Sequence, residues 1–423
     1  MNINKGKTKK IKNKNNMKEQ KNNINFTVFV ASLGYFVDIF DLTLFGILRV
    51  SSLKDLNLNP EQITNIGLNI LALQMLGMLI GGIVWGIIGD KIGRKFAMFG
   101  SILMFSLANI LNAFITDVNQ YTILRFIAGI GLAGQLGSAI TLVSELAEKE
   151  KRGYYNAVIA SLGLLGALFA SLLSFFIHWR IMYLIGGILG LLLLLLRYNT
   201  LESEIFKKEQ KEEENIPKGN IILLIKNFNT FFRYLKILLI GIPIWFVFSI
   251  LLTFSPEVSQ AINKGYNANA AISLMLGYIG VSLGDILAGI LSQKLKSRKK
   301  PIFIFLILLS ITIILYIHIS YNLMIFYLFN LVLGILSGYW VLFLTIGAEE
   351  FGTNIRSTVV NTLPNFVRGS VYLIVSIFKT IKDYLGFINA TLIIGFFFII
   401  LAFISLIFIK ETFAKDLNFY EKS

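Results

Sequence analysis

The 423-residue chain has no cysteine and only two histidines, His178 and His318. Without cysteine there can be no disulfide, iron–sulfur cluster or thiolate zinc site. Two histidines so far apart argue against a histidine-based metal centre. Charge is scarce too. Asp, Glu, Lys and Arg make up 15% of the residues, against about 25% in soluble domains. Hydrophobic residues reach 55%, and mean hydropathy is +0.71. This composition excludes a disordered chain, a coiled coil and an ordinary soluble enzyme, and it fits a protein whose surface mostly faces lipid. Nucleotide loops, nucleophile motifs and metal-ligand clusters are also missing, which disfavours a membrane enzyme. Proline is rare at 6 residues, whereas glycine is plentiful at 35, as in packed membrane helices, where small residues let backbones approach.

Long apolar runs are abundant. A helix crosses the hydrocarbon in about 20 apolar residues, and twelve such spans are expected. They are Phe26–Leu48, Ile66–Gly89, Phe96–Thr116, Tyr121–Val143, Tyr155–Ile177 and Ile181–Leu196, then Leu235–Phe254, Ala270–Ser292, Ile302–Ile319, Leu323–Ile346, Val359–Phe378 and Phe387–Ile409. The expected fold is an all-α polytopic membrane protein with its twelve helices in two pseudo-symmetric six-helix bundles. Residues 26–197 form the first bundle and 234–411 the second. A cytoplasmic linker at 198–233 joins them, and its 221–232 part reads as a surface helix. Residues 1–25 and 412–423 are tails.

The net charge of +15 is unevenly placed. Most of the 39 Lys and Arg fall in the tails, the linker and the loops on the same side. The positive-inside rule therefore puts both termini in the cytoplasm of an inner membrane. The N-terminal tail reads as orientation-reinforcing rather than nucleic-acid-binding, and it lacks the small-residue cleavage site of a signal peptide.

The halves resemble each other. The loop after span 2 carries Gly86, Gly89, Asp90, Lys91, Gly93, Arg94 and Lys95. The loop after span 8 carries Gly289, Gln293, Lys294, Lys296, Arg298 and Lys299. Gly129, Glu145 and Arg152 around span 4 are echoed by Gly334, Glu350 and Arg356 around span 10. Such a repeat suits a transporter that rocks about a midplane site.

The first loop resembles the signature of the major facilitator superfamily, at the position the family uses. Arg125, Gly129 and Gly131 are similar to its span-4 motif. Glu145 through Arg152 and Gly153 is similar to a segment of the metabolite:proton symporter and sugar porter branch. Leu201, Glu202 and Ser203, and Lys410, Glu411 and Thr412, resemble boxes of that branch that begin with proline, although neither has it here. The resemblance covers residues 26–413. It implies a cytoplasmic latch in which Asp90 faces the positive amino end of span 11 and Arg94 pairs with Glu145, with Gly86, Gly93 and Arg152 in support. A weaker copy would join Arg298 to Glu349 or Glu350. It also implies a cavity lined by spans 1, 4, 7 and 10, which makes Gln135, Trp245 and Trp340 plausible contacts.

Ionisable residues inside spans are functional candidates by default. Asp38 and Asp41 lie mid-span, three apart, with Tyr35 one turn earlier. Two close carboxylates in low dielectric resist ionising together, as a proton carrier requires. Arg368 lies mid-depth in span 11 on a stripe with Asn361, Asn365 and Tyr372, next to Pro364. A buried Arg needs an anion, either Asp38 or Asp41 or a substrate carboxylate held by two hydrogen bonds. Arg125 has Asn330 as its counterpart in the other half. It either fixes helices 1 and 4 or, by the resemblance, takes part in proton transfer. Asp285 in span 8 either bonds helix to helix or binds a coupling ion.

The reading is a secondary transporter, not an enzyme, working as a monomer in the lipid bilayer without a cofactor, with the proton as coupling ion. Its partner is a small polar metabolite, an organic acid or amino acid being favoured, taken up by alternating access. Rival readings are a sugar porter, a proton-independent facilitator, a multidrug efflux antiporter and a membrane ligand sensor.

Overall fold

A computed structural model describes residues 3–92, 94–134, 152–198, 227–262 and 265–415. Its elements are α1 (Ile3–Asp55), α2 (Pro60–Lys91), α3 (Arg94–Asn112), α4 (Val118–Leu132), α5 (Arg152–Leu173) and α6 (Trp179–Tyr198). The second half holds α7 (Phe228–Phe246), which runs into a π-helical turn at Val247–Leu252, and then α8 (Ser255–Ile262), α9 (Ala270–Leu295) and α10 (Lys299–Ile319). It ends with α11 (Leu323–Ser337), α12 (Trp340–Glu350), α13 (Thr353–Gly369) and α14 (Val371–Phe408).

Among the described residues, eight helices are long and apolar enough to cross a membrane, and Phe96–Asn112 and Leu162–Leu173 are shorter apolar helices. One of the eight candidate spans, Thr358–Phe408, runs through α13 and α14 and takes in nearly all of both final expected spans, and Gly386 turns the chain between them at φ 78°. Only glycine takes that backbone region without strain.

Short polar caps start the helices where the apolar runs begin. Asn59 and Gln62 form a reciprocal capping box ahead of α2, with Pro60 in its first turn. Asp117 accepts from the N–H groups of Asn119 and Gln120 to open α4, and Asn322 caps α11. These side chains satisfy amide donors that a helix start leaves unpaired.

Three boundaries differ from the sequence expectation. The tenth span is not one helix. It breaks at Gly338 and Tyr339, between α11 and α12. The expected linker surface helix is not separate over its described part, since α7 begins at Phe228 and runs straight into the seventh span. Pro364 sits inside α13 without ending it; the helix stops at Gly369.

In the first half α1 packs on α5 and α6, and α2 and α3 pack on α4. In the second half α9 packs on α11, and α7 on α14. The halves meet through α2 against α13 and α14, and α5 against α9. These are spans 2 with 11 and 5 with 8, pairs that a six-plus-six repeat makes equivalent. The repeat is visible in close packing as well. A Cβ on Gly129 would collide with the Gln74 carbonyl, and one on Gly334 with the Gly277 carbonyl, so glycine sets the span 2–4 and span 8–10 contacts.

Candidate functional site

A cavity of about 150 Å³ lies between the halves. Its walls are Tyr35, Ile39 and Leu42 of α1, Ile159 and Leu164 of α5, Ile244, Trp245 and Phe248 around α7, and Tyr278, Val281 and Asp285 of α9, completed by Trp340, Val341 and Leu344 of α12 and Arg368 of α13. Most of this lining is aromatic or aliphatic. Among the described residues, Arg368 and Asp285 are its charged members.

Four aromatic rings form a connected box. Trp245 and Trp340 meet edge to face at 6.5 Å, Trp245 lies 6.2 Å from Phe248, and Phe248 lies 4.9 Å from Tyr278. Arg368 stands beside the box with its guanidinium carbon 5.4 Å from the Trp245 ring centre. It is 5% exposed, its Nε has no hydrogen-bond partner, and among the described residues no carboxylate pairs with it. A desolvated guanidinium without an anion beside it is costly.

Tyr35, Ile39, Leu42 and Arg368 also border a second, smaller void of about 10 Å³, closed off by Asp38, Met78 and Leu132. That is about the room one water needs. Asp38 therefore belongs to the interface between the halves, beside Arg368.

Asp41 has different neighbours. It lies 3.6 Å from Arg125, both side chains being fully buried. Arg125 also donates to Asn109 Oδ1 and lies 4.7 Å over the Tyr183 ring. The Tyr183 hydroxyl meets that of Tyr121 at 2.6 Å, and Tyr121 meets Ser52 at 3.1 Å. The two carboxylates thus serve separate surroundings, although their spacing suggested a shared one.

The remaining expected residues fall into three groups. Trp245, Trp340, Tyr35 and Asp285 line the cavity with Arg368. Asn330 does not; its amide donates to Ser273 Oγ at 2.8 Å inside the second half, so its place among substrate contacts is corrected to a structural one. Asn365 donates to the Ala133 carbonyl at 3.1 Å, tying α13 to the end of α4 across the halves. Gln135, Gly93 and Glu145 lie outside the described residues, as do the side chains of Asp90, Arg94, Arg152 and Asn361. A Cβ on Gly86 would meet open space.

In the second half, Arg298 pairs with Glu349, Nη2 to Oε1 at 2.8 Å. Of the two acids considered for this copy of the latch, Glu349 is the partner. Glu350 instead faces Arg233 at 3.9 Å and Lys415 at 3.5 Å, which corrects its expected pairing with Arg298.

Sequence reasoning missed the contacts on the face opposite the chain termini. There Arg49 at the end of α1 binds Glu257 of α8. Lys382 and Lys379 reach Asn65 and Asn69 at 2.7 and 2.8 Å. Each of these contacts joins one half to the other, so the cavity is closed on this face. Its lining extends instead toward the terminal face, through Ile159, Asp285 and Leu344.

A bundle of apolar helices in two repeated halves, with a partly charged cavity between them, is the architecture of a secondary transporter. The Major Facilitator Superfamily profile matches residues 31–381, and the chain belongs to that family of multi-pass membrane transporters. It is similar to the niacin transporter NiaP of Acinetobacter baylyi, with 34% identity over 168 residues, 38% of this chain and 37% of that protein. It is also similar to the benzoate transport protein of the same organism, with 29% identity over 45% of this chain and 42% of that protein. The chain thus spans less than half the length of these relatives. Its fold matches the crystal structure of a D-xylose-proton symporter with a TM-score of 0.72 and 17% identity, covering 92% of this chain and 98% of the other.

Proposed function

We propose that the protein is a secondary active transporter that takes up a small organic acid together with protons, by alternating access between its halves. The observation that carries this reading is Arg368, buried, without an acidic partner among the described residues, and turned to a cavity between the halves. A carboxylate is the anion whose geometry fits a guanidinium through two parallel hydrogen bonds.

The walls narrow the class further. The Trp245, Trp340, Phe248 and Tyr278 rings offer flat apolar faces, and a cavity of about this size admits one benzene ring. The names of two relatives point the same way, since niacin and benzoate are both single-ring carboxylates. We therefore read the cargo as a single-ring aromatic carboxylate.

Coupling is assigned to the carboxylates of α1. Asp41 trades between a proton and its pairing with Arg125, and Asp38 faces the void beside Arg368. Protonation from one side and release to the other, linked to cargo on Arg368, would tie the two fluxes together. The two bundles rock about this site, and the latch around Asp90, Arg94 and Glu145 closes the terminal face when the Arg49 face opens. The excess of Lys and Arg supports a terminal face in the cytoplasm of the inner membrane. The described lining of the cavity comes from both halves of one chain, which suits a working monomer.

The test is uptake of labelled benzoate and nicotinate into proteoliposomes, with an amino acid and a hexose as controls, with and without an imposed pH gradient. Accumulation of the aromatic acids only under the gradient, and its loss in Arg368→Lys, is the expected result. Transport of the hexose or amino acid instead, or uptake indifferent to the gradient, would refute the corresponding half of the proposal.

A further inference from the structure

Asp285 is the second charged side chain in the described cavity lining, and its setting comes from the break in the tenth span. Because α11 stops at Ser337 and α12 starts afresh at Trp340, the first N–H groups of α12 have no partner within the helix. One of them, on Val341, donates to Asp285 Oδ1 at 3.2 Å. That bond holds the carboxylate at the cavity wall. No other described residue donates a hydrogen bond to it, although a carboxylate has about four acceptor positions.

Around it the wall is apolar, made by Trp340, Val281 and Tyr278. Arg368 approaches from another helix, and Tyr35 lies within electrostatic reach of both charges. The site thus has an anion-seeking group, aromatic walls and a donor-seeking group. A ring whose carboxylate sits on Arg368 and whose far edge is only C–H would displace water from Asp285 and leave its free acceptor sites unpaired. A ring with a hydroxyl or amino group there keeps them paired.

We propose that Asp285 is a specificity-determining residue that selects, among single-ring carboxylates, those bearing an O–H or N–H donor on the ring edge remote from the carboxylate. This rests on the carboxylate reading given above, and it concerns which members of that class are bound.

The test is calorimetric titration of the purified full-length protein with benzoate, 3-hydroxybenzoate and 4-hydroxybenzoate. At least one hydroxy isomer should bind about ten- to a hundredfold more tightly than benzoate. In Asp285→Ala that ratio should fall to about one. Asp285→Asn, which keeps an acceptor oxygen and the shape, should keep an intermediate ratio. A purely structural role in capping α12 would weaken all three ligands alike and leave the ratio unchanged, overturning the proposal. A wild-type ratio of one for both isomers overturns it without any variant. Binding of benzoate with a flat ratio removes only the Asp285 assignment. Absence of binding by all three at millimolar concentration removes the carboxylate reading and this inference with it.

Discussion

Arg49 and Glu257 form a two-pronged ion pair, Nη1 to Oε1 at 2.6 Å and Nη2 to Oε2 at 2.8 Å, that fastens the end of α1 to α8 across the two halves. Arg49 is fully buried, 4.0 Å over the Phe254 ring, and the Thr64 hydroxyl donates to Glu257 at 3.3 Å. The cavity cannot open on this face while the pair holds. Removing one partner of a buried pair costs roughly 3–5 kcal/mol, here charged to the conformation closed on this side. Glu257→Gln should therefore populate the conformation open on this side. The chain has no cysteine, so spin labels on Glu61→Cys and Tyr384→Cys report this face alone. Their pulsed-EPR distance distribution should gain a longer component in Glu257→Gln. An unchanged distribution would show that the pair has no part in closure.

Asp41→Asn keeps the shape of the side chain but removes the charge that faces Arg125 at 3.6 Å. Arg125 would still hold Asn109 and the Tyr183 ring. If Asp41 carries the proton, gradient-driven accumulation should fall by at least about tenfold, in line with loss of a charge-dependent step. Exchange of cargo across the membrane without net proton flux should survive. Equal loss of both activities would instead mark the pair as structural, and a matching fall in melting temperature would confirm that role.

The spans were legible because apolar length is a local property. Arg368 stood out as an ionisable residue inside a span, and Trp245 and Trp340 were candidates only through the family resemblance; all three line the cavity. What was not legible depends on contacts between distant residues. Nothing near Arg49 announces Glu257, which lies on the other half of the chain. The Gly338 break is equally silent. Its neighbours Ser337, Tyr339 and Trp340 suit a continuous apolar helix, and only the approach of Gly338 to the backbone of Gly284 and Asp285 shows what that region is packed against. Asp38 and Asp41 show how a correct spacing can mislead. Residues three apart point about 60° from each other around a helix, enough to send one toward Arg368 and the other toward Arg125. The pairing of Arg298 with Glu349 rather than Glu350 is the same lesson, since adjacent helical residues point about 100° apart.

Two glycines of the repeated motifs should respond in opposite ways to alanine. At Gly334 a Cβ would collide with the Gly277 backbone, which cannot swing aside as a side chain can. Gly334→Ala should force α9 and α11 apart and cost about 1–3 kcal/mol, as overpacking does. At Gly86 a Cβ meets nothing within 4 Å. Gly86→Ala should leave the melting temperature of the solubilised protein within a degree or two of wild type while Gly334→Ala lowers it clearly. If Gly86→Ala nevertheless slows transport, its glycine is needed in the conformation closed on the terminal face. Equal melting temperatures for the two variants would contradict the packing argument.

Glu411 supplies a pH dependence at the terminal face. Its carboxylate accepts from Ser297 Oγ, from the Arg298 backbone N–H at 2.8 Å and from the Phe413 N–H at 3.1 Å, so it fastens the segment after α14 to the turn between α9 and α10. Partial burial alone would raise its pKa, but these donated hydrogen bonds outweigh that and hold it below the ordinary 4.5. A carboxylate depressed in the folded protein contributes stability that is fully present above its unfolded value and is lost as pH falls through its folded value. The melting temperature of the solubilised protein should hold between pH 7 and about pH 5, then fall as the medium is acidified below that value. Glu411→Gln should melt lower than wild type at pH 7 and show a shallower acid decline, because the group that wild type protonates is already neutral. The neighbouring Arg298–Glu349 pair, to which Thr412 donates at 2.7 Å, should keep the segment after α14 docked in that variant. Parallel acid declines in the two proteins would place the titrating group elsewhere.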